Sequence, residues 1–232
     1  MDLRVEVEVW RVDLAHARPP SAAELAVLSE EERARHARYL VAEPANAFAT
    51  TRIALRRLLG QRLGRAAAAV RLVADQHGKP VVVGSSSPFF NVSHGPTCAL
   101  IALSEIARVG VDVESRTALA FDSPAAQSAC TPAEMAWLQA HRAPADVTIA
   151  RVWCRKEAVL KACGRGLTWP MTELDLGIPG ATEGFCEVPH LGRMAWRDLV
   201  LPFGELGAVA VCSNDATGIT TVVRPYVARQ DS

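Results

Sequence analysis

One order of secondary-structure elements is written twice along these 232 residues. In the first half, capping boxes at Ser21…Glu24 and Ser29…Glu32 each set up a short helix. Pro44 then opens a long helical pattern over residues 45–63, and strand-like segments follow at 70–73, 80–83, 97–103 and 109–113. In the second half, Thr131-Pro132-Ala133-Glu134 is a further capping box. A long helix is predicted over 147–163, with Gly164 placed to stop it, and strands follow near Cys186, Met194, 206–212 and 220–223. The chain begins on a half-buried strand, since Leu3, Val5, Val7 and Val9 alternate with Arg4, Glu6 and Glu8. This repetition describes an α+β protein of two pseudo-symmetric lobes, 1–106 and 107–232, joined near 104–108. The cleft between such lobes is the natural place for a ligand. The repeat is one of element order, with little residue identity.

Charge narrows the ligand classes. Lys+Arg and Asp+Glu balance at 25 each, so no global field draws nucleic acid or an anionic membrane, and an anionic ligand needs a local cluster of cations. No apolar run approaches the ~20 residues that cross a bilayer. The six cysteines form no CxxC pair, and several sit in apolar segments, as Cys98 does. Reduced core thiols in a cytoplasmic protein are expected, rather than disulfides or a zinc site. The charged, alternating start reads as a strand and not as a signal peptide.

Five segments carry groups capable of chemistry. In Val109-Gly110-Val111-Asp112-Val113-Glu114, side chains two apart share a strand face, so Asp112 and Glu114 present paired carboxylates. Hard oxygens side by side suit Mg²⁺, although two solvated acids on an exposed strand are the commoner meaning of such a pair. On the second long helix, Trp153, Glu157 and Lys161 form one stripe by their spacing of four. Glu157 offers a third metal ligand or a general base and Lys161 a phosphate contact; equally, a Glu four residues before a Lys is an ordinary helix-stabilising pair worth ~0.2–0.5 kcal/mol. Phe90-Asn91-Val92-Ser93-His94-Gly95 lacks the surroundings of a nucleophile elbow and reads better as a turn binding phosphate oxygens through Ser93 and His94. Gly78-Lys79-Pro80 is a tight turn but no Walker loop, and Lys79 there is either solvated or a phosphate clamp. Among the basic helix residues Arg33, Arg35, Arg38, Arg52, Arg56 and Arg57, most are expected on solvent-facing surfaces.

Taken in order, GKP, FNVSHG, VGVDVE and WCRKEAVLKACGRGL resemble the signature of Sfp-type 4′-phosphopantetheinyl transferases, over roughly residues 28–167. The resemblance implies two α+β lobes with coenzyme A between them, and an enzyme that moves phosphopantetheine from coenzyme A to a serine of an acyl or peptidyl carrier protein. It implies Asp112, Glu114 and Glu157 as Mg²⁺ ligands. Lys79, Ser93, His94 and Lys161, with Asp112, are implied contacts to coenzyme A. Arg35, which falls where the family puts a basic residue for the 3′-phosphate, and Arg52 are expected nearer the ligand than the other arginines. Glu32 stands where some relatives carry a cation, and Asn46 and Ala47 also lack a charge found there. Secondary metabolism is suggested by the same resemblance.

The implied chemistry is displacement at the β-phosphorus, with Glu157 as base or metal ligand and Lys161 and His94 stabilising charge. Two other readings use the same residues: a non-catalytic module binding coenzyme A or a carrier protein, and a Mg²⁺-dependent hydrolase of the coenzyme A pyrophosphate. A monomer suffices to build one site.

Overall fold

The computed structural model describes residues 3–75, 78–115, 124–141, 145–164, 169–177 and 179–227. Three short elements come from the capping boxes. Helix α1 (Ala22–Leu25) starts at Ser21 and α2 (Glu30–Ala37) at Ser29, each with the reciprocal hydroxyl and carboxylate bonds. The third box, Thr131 with Glu134, starts α5 (Pro132–His141), which follows α4 (Pro124–Ala129). The long helices are α3 (Ala42–Leu63), with Pro44 in its first turn, and α6 (Ala145–Cys163). Gly64 and Gly164 follow them at φ 61° and 72°, left-handed positions that glycine takes without a Cβ penalty.

Two four-stranded sheets carry the helices. The first has the order β10-β1-β5-β4, from β1 (Arg4–Asp13), β4 (Phe89–His94), β5 (Cys98–Ser104) and β10 (Gly218–Pro225). The second has the order β6-β9-β8-β7, from β6 (Arg108–Glu114), β7 (Glu183–Val188), β8 (Gly192–Val200) and β9 (Leu206–Cys212). A hairpin of β2 (Leu72–Ala74) and β3 (Pro80–Val82) stands apart. β10 follows the second-half strands in sequence yet pairs in parallel with β1, from Arg4 opposite Gly218 to Arg11 opposite Pro225.

Three differences from the sequence expectations have physical causes. Residues 89–94 form a strand and not a turn, because Phe89 to His94 pair antiparallel with Ser104 to Ala99 along β5. The first strand of the small hairpin begins later than expected, at Leu72, after a 3₁₀ turn at Ala67–Ala69. Helix α4 begins at Pro124 and is marked by no Ser/Thr…Glu box, so the capping-box pattern does not reveal it. The end of the motif on α6, residues 165–167, and residues 76–77 ahead of Lys79 lie outside the described residues.

The site is positioned by close packing of β6 on α6. Val109, Val111 and Val113 enter the core with Val7, Leu100, Val209 and Val211, while α6 covers the other face with Ala158, Leu160 and Ala162. Gly110 allows the approach: a Cβ there would lie 2.0 Å from the Ala158 carbonyl oxygen and 2.3 Å from the Ala162 nitrogen. The far side of α6 is fixed by ions. Lys156 is fully buried and donates to Glu134 (2.6 Å) and to the carbonyls of Ala129 (2.8 Å) and Met171 (2.9 Å). Arg155 forks Asp198 (2.7 Å to each oxygen) with Trp196 under its guanidinium.

Candidate active site

The edge strands β4 and β6 meet where the two sheets approach, and their polar side chains face one another. Asn91 accepts from the Val111 amide (2.9 Å), locking the register of one edge against the other. Two residues on, Ser93 donates to Asp112 Oδ1 (2.7 Å), and both residues are buried. From α6, the Lys161 ammonium reaches the same oxygen at 2.6 Å and Ser93 Oγ at 3.1 Å. Glu157, one turn earlier on the helix, stands 3.9 Å from Lys161. Three residues from three elements thus share one contact, and the period of four on α6 sets Glu157 beside Lys161.

The acids are held in an environment that disfavours their charge. Burial, and then the charges of Asp112 and Glu114, push the Glu157 carboxyl above its usual range, while Lys161 opposes them. Glu114 is likewise raised by burial and by Asp112, against Lys161 and a hydrogen bond from Trp153. Two buried carboxylate oxygens, Asp112 Oδ2 and Glu157 Oε1, have no hydrogen-bond partner, an arrangement that leaves hard oxygen donors open to a cation. Among the described residues, no three His, Cys, Asp or Glu side chains gather closely enough to form a ready metal cluster; Lys161 is the cation between these acids.

Cations collect on the other flank. Burial lowers the pKa of His94, and the charges of Arg52, Lys161 and Arg35 lower it further. Arg35 stacks over Phe48 at 4.8 Å, and Arg52 lies 3.1 Å from Glu32, which also binds Arg56 at 2.5 Å. Glu32 therefore orients two arginines. Because Arg52 is also pressed by burial and by Arg56 and Arg35, its own pKa is lowered. Such a group of partly desolvated cations is a place for phosphate.

Lys79 is placed differently from the others. Its ammonium donates to the carbonyls of Val109 (3.2 Å) and Lys161 (2.9 Å), at the last turn of α6. It lines a cavity of about 950 Å³ with Phe90, Arg108 and Gly164, and this cavity is not lined by Ser93, Asp112 or Glu157. The structure therefore brings together Ser93, His94, Asp112, Glu114, Glu157 and Lys161, sets Arg35 and Arg52 beside His94, and turns Lys79 onto main chain behind Lys161. Sequence reasoning missed Asn91, which sits inside the FNVSHG segment, and its alternation with Ser93 is the signal that both face the same way.

Comparison with known proteins gives the family. Residues 18–106 match the family model described as 4′-phosphopantetheinyl transferase, N-terminal, and residues 108–189 match the 4′-phosphopantetheinyl transferase superfamily. The chain is 32% identical over 152 residues to slr0495 of Synechocystis sp., which carries a 4′-phosphopantetheinyl transferase name; the match covers 64% of this chain and 62% of that protein. It is 29% identical over 177 residues to the 4′-phosphopantetheinyl transferase HetI of Nostoc sp., covering 75% and 74%. Against the 4′-phosphopantetheinyl transferase of Bacillus subtilis it is 25% identical over 177 residues, covering 74% and 78%. With two models of this family matched in succession along residues 18–106 and 108–189, this chain belongs to the 4′-phosphopantetheinyl transferase superfamily.

Proposed function

We propose that this chain transfers phosphopantetheine from coenzyme A to a serine of an acyl or peptidyl carrier protein and releases 3′,5′-ADP. The observation that carries the reading is the meeting of Lys161, Ser93 and Asp112 between a cationic flank and an acidic one. A pyrophosphate needs the first flank for binding, and an attacking hydroxyl needs the second to lose its proton.

In this reading residues 1–106 supply coenzyme A contacts and residues 107–232 supply the acids and the catalytic helix. Arg35, Arg52 and His94 hold the phosphates at the adenosine end. Ser93 and Lys161 hold the pyrophosphate. Lys79 acts from behind, fixing the carbonyl at the turn of α6 from which Lys161 projects. The carrier serine Oγ bonds to the β-phosphorus while the bond to the bridging oxygen breaks, and its proton passes to Glu157. A carboxylate raised by burial is a better base than an exposed one. Lys161 stabilises charge on the departing oxygen. Asp112, Glu114 and Glu157 would hold magnesium, whose role when bound is to neutralise the pyrophosphate; the orphaned oxygens of Asp112 and Glu157 support that fit.

One chain carries every residue named, so a monomer suffices. Among the described residues no helix is long and apolar enough to cross a membrane, and all six cysteines are free thiols, which suits a reducing cytoplasm.

The test is intact-mass spectrometry of an apo-carrier protein incubated with the enzyme, coenzyme A and Mg²⁺, beside an EDTA control. One added phosphopantetheine, lost with EDTA, is expected. Asp112→Asn and Glu157→Gln are each expected to lower the rate by on the order of a hundredfold or more. Full transfer by either folded variant would refute the site.

A further inference from the structure

The turn between β8 and β9 reads Val200-Leu201-Pro202-Phe203-Gly204-Glu205, an apolar run at a surface position. Val200 is 93% exposed and Phe203 89%. The backbone of Phe203 is left-handed, at φ 58° and ψ 15°, a region bulky residues avoid. Neither burial nor backbone comfort accounts for a phenylalanine here, and strain of this kind, once observed, is a pointer to function.

The ring is nonetheless held in place. The guanidinium of Arg11 lies 5.4 Å from its centroid. Arg11 is itself forked by Glu205, donating through Nε at 2.8 Å and Nη2 at 2.7 Å, and Thr97 donates to the same carboxylate at 2.6 Å. The fork is a rigid seat that presents an aromatic ring to solvent.

Its position is at the rim of the site. Phe203 shares a small cavity of about 180 Å³ with Glu114 and with Gly95 and Pro96, the residues that follow His94. None of the cations assigned to coenzyme A (Arg35, Arg52, Lys161) lines this cavity, so the rim is left to the second substrate. That substrate is a protein whose serine must come within about 3–3.5 Å of phosphorus. The surface around the serine has to rest against the rim, and a preordered aromatic loses little freedom on being covered. We infer that the Phe203 turn is a docking anchor for the carrier protein, taking an apolar patch beside the reactive serine. The inference rests on the site reading above.

The experiment compares wild type with Phe203→Ser, Phe203→Gly and Phe203→Trp. Each is titrated calorimetrically with the apo-carrier that wild type modifies fastest, and transfer kinetics are measured in parallel. Phe203→Ser and Phe203→Gly are expected to bind the carrier about tenfold more weakly and to raise its KM equally. The KM for coenzyme A stays unchanged, the melting temperature is kept in Phe203→Ser and rises in Phe203→Gly as the left-handed strain is relieved, and Phe203→Trp behaves as wild type. Carrier affinity within about twofold of wild type in the serine and glycine variants overturns the anchor. So does an equal loss of coenzyme A affinity, or a glycine variant that matches wild type while the serine variant is weak, since that traces the effect to backbone strain. Failure of the site reading is a separate result, full transfer by Asp112→Asn, and it leaves the carrier titration as it was.

Discussion

Substituting Gly110 by alanine tests the claim that the site is set by the approach of β6 to α6. The new Cβ would meet the Ala158 oxygen at 2.0 Å, the Ala162 nitrogen at 2.3 Å and the Lys161 carbonyl carbon at 2.9 Å. All three are main-chain atoms of the helix, so no side chain can rotate away. Reaching ordinary contact near 3.5 Å requires strand and helix to part by about 1–2 Å. Overpacking typically costs about 1–3 kcal/mol, and a clash with backbone belongs at the upper end. The same parting draws Lys161 from its 2.6 Å contact with Asp112, since one rides on the helix and the other on the strand. A misplacement of about 1 Å can cost on the order of a hundredfold in rate. Urea unfolding and single-turnover transfer at saturating coenzyme A, normalised to folded protein, measure both effects. Gly64→Ala is the control: at φ 61° with nothing within 4 Å, it bears only backbone strain of about 1–2 kcal/mol and keeps its turnover. A Gly110→Ala enzyme no less stable than Gly64→Ala and with full turnover would refute the reasoning.

Lys156→Met leaves Glu134 buried without its cation and is expected to cost about 3–5 kcal/mol in urea unfolding, part of it recovered on adding Glu134→Leu, which removes the stranded acid but also the capping box of α5. An equal loss in single and double variants would show that the pair itself does not matter. His94 is expected to titrate by NMR below the ordinary histidine range, because burial and then Arg52, Lys161 and Arg35 disfavour its charged form, and Arg52→Met should move it back up. Its folded pKa is depressed, so the stability it contributes is present above the unfolded value and is lost as pH falls through the folded one. Lys79 is lowered to about 8, by burial first and then by Arg108. Between about 8 and the unfolded value near 10.4, the unfolded chain holds a proton the folded chain has shed, so stability rises with pH there. Lys79→Met should flatten that slope in urea unfolding followed across the window, and an unchanged slope would contradict the assignment.

The fold was largely legible where local chemistry dictates local structure. The capping boxes at Ser29 and Thr131 form as their residue types require, and the valine alternation in β6 places Asp112 and Glu114 as expected. Legibility fails where the deciding partner is distant. FNVSHG looks like a turn until β5 supplies the pairing that makes it a strand. Glu32 looks like a lost cation until Arg52 and Arg56 are seen to share it. That the Lys79 ammonium reaches the carbonyls of Val109 and Lys161 cannot be read from its tight turn either. Phe203 had no pattern around it at all, since exposure and a left-handed backbone are properties of the folded turn.

A protein of two repeated lobes suggests two modules that could be made, lost or recombined one at a time. The parallel seat of β10 on β1 denies that independence. While the chain is being synthesised, the first sheet waits with an open edge until residues 218–225 emerge, after every strand of the second sheet. A gene split between the lobes would deliver one piece missing an outer strand and another carrying a strand with no sheet of its own. The lobes therefore fold, and fail, as one cooperative unit, and the meeting of β4 with β6 is available only to a chain that has closed this exchange.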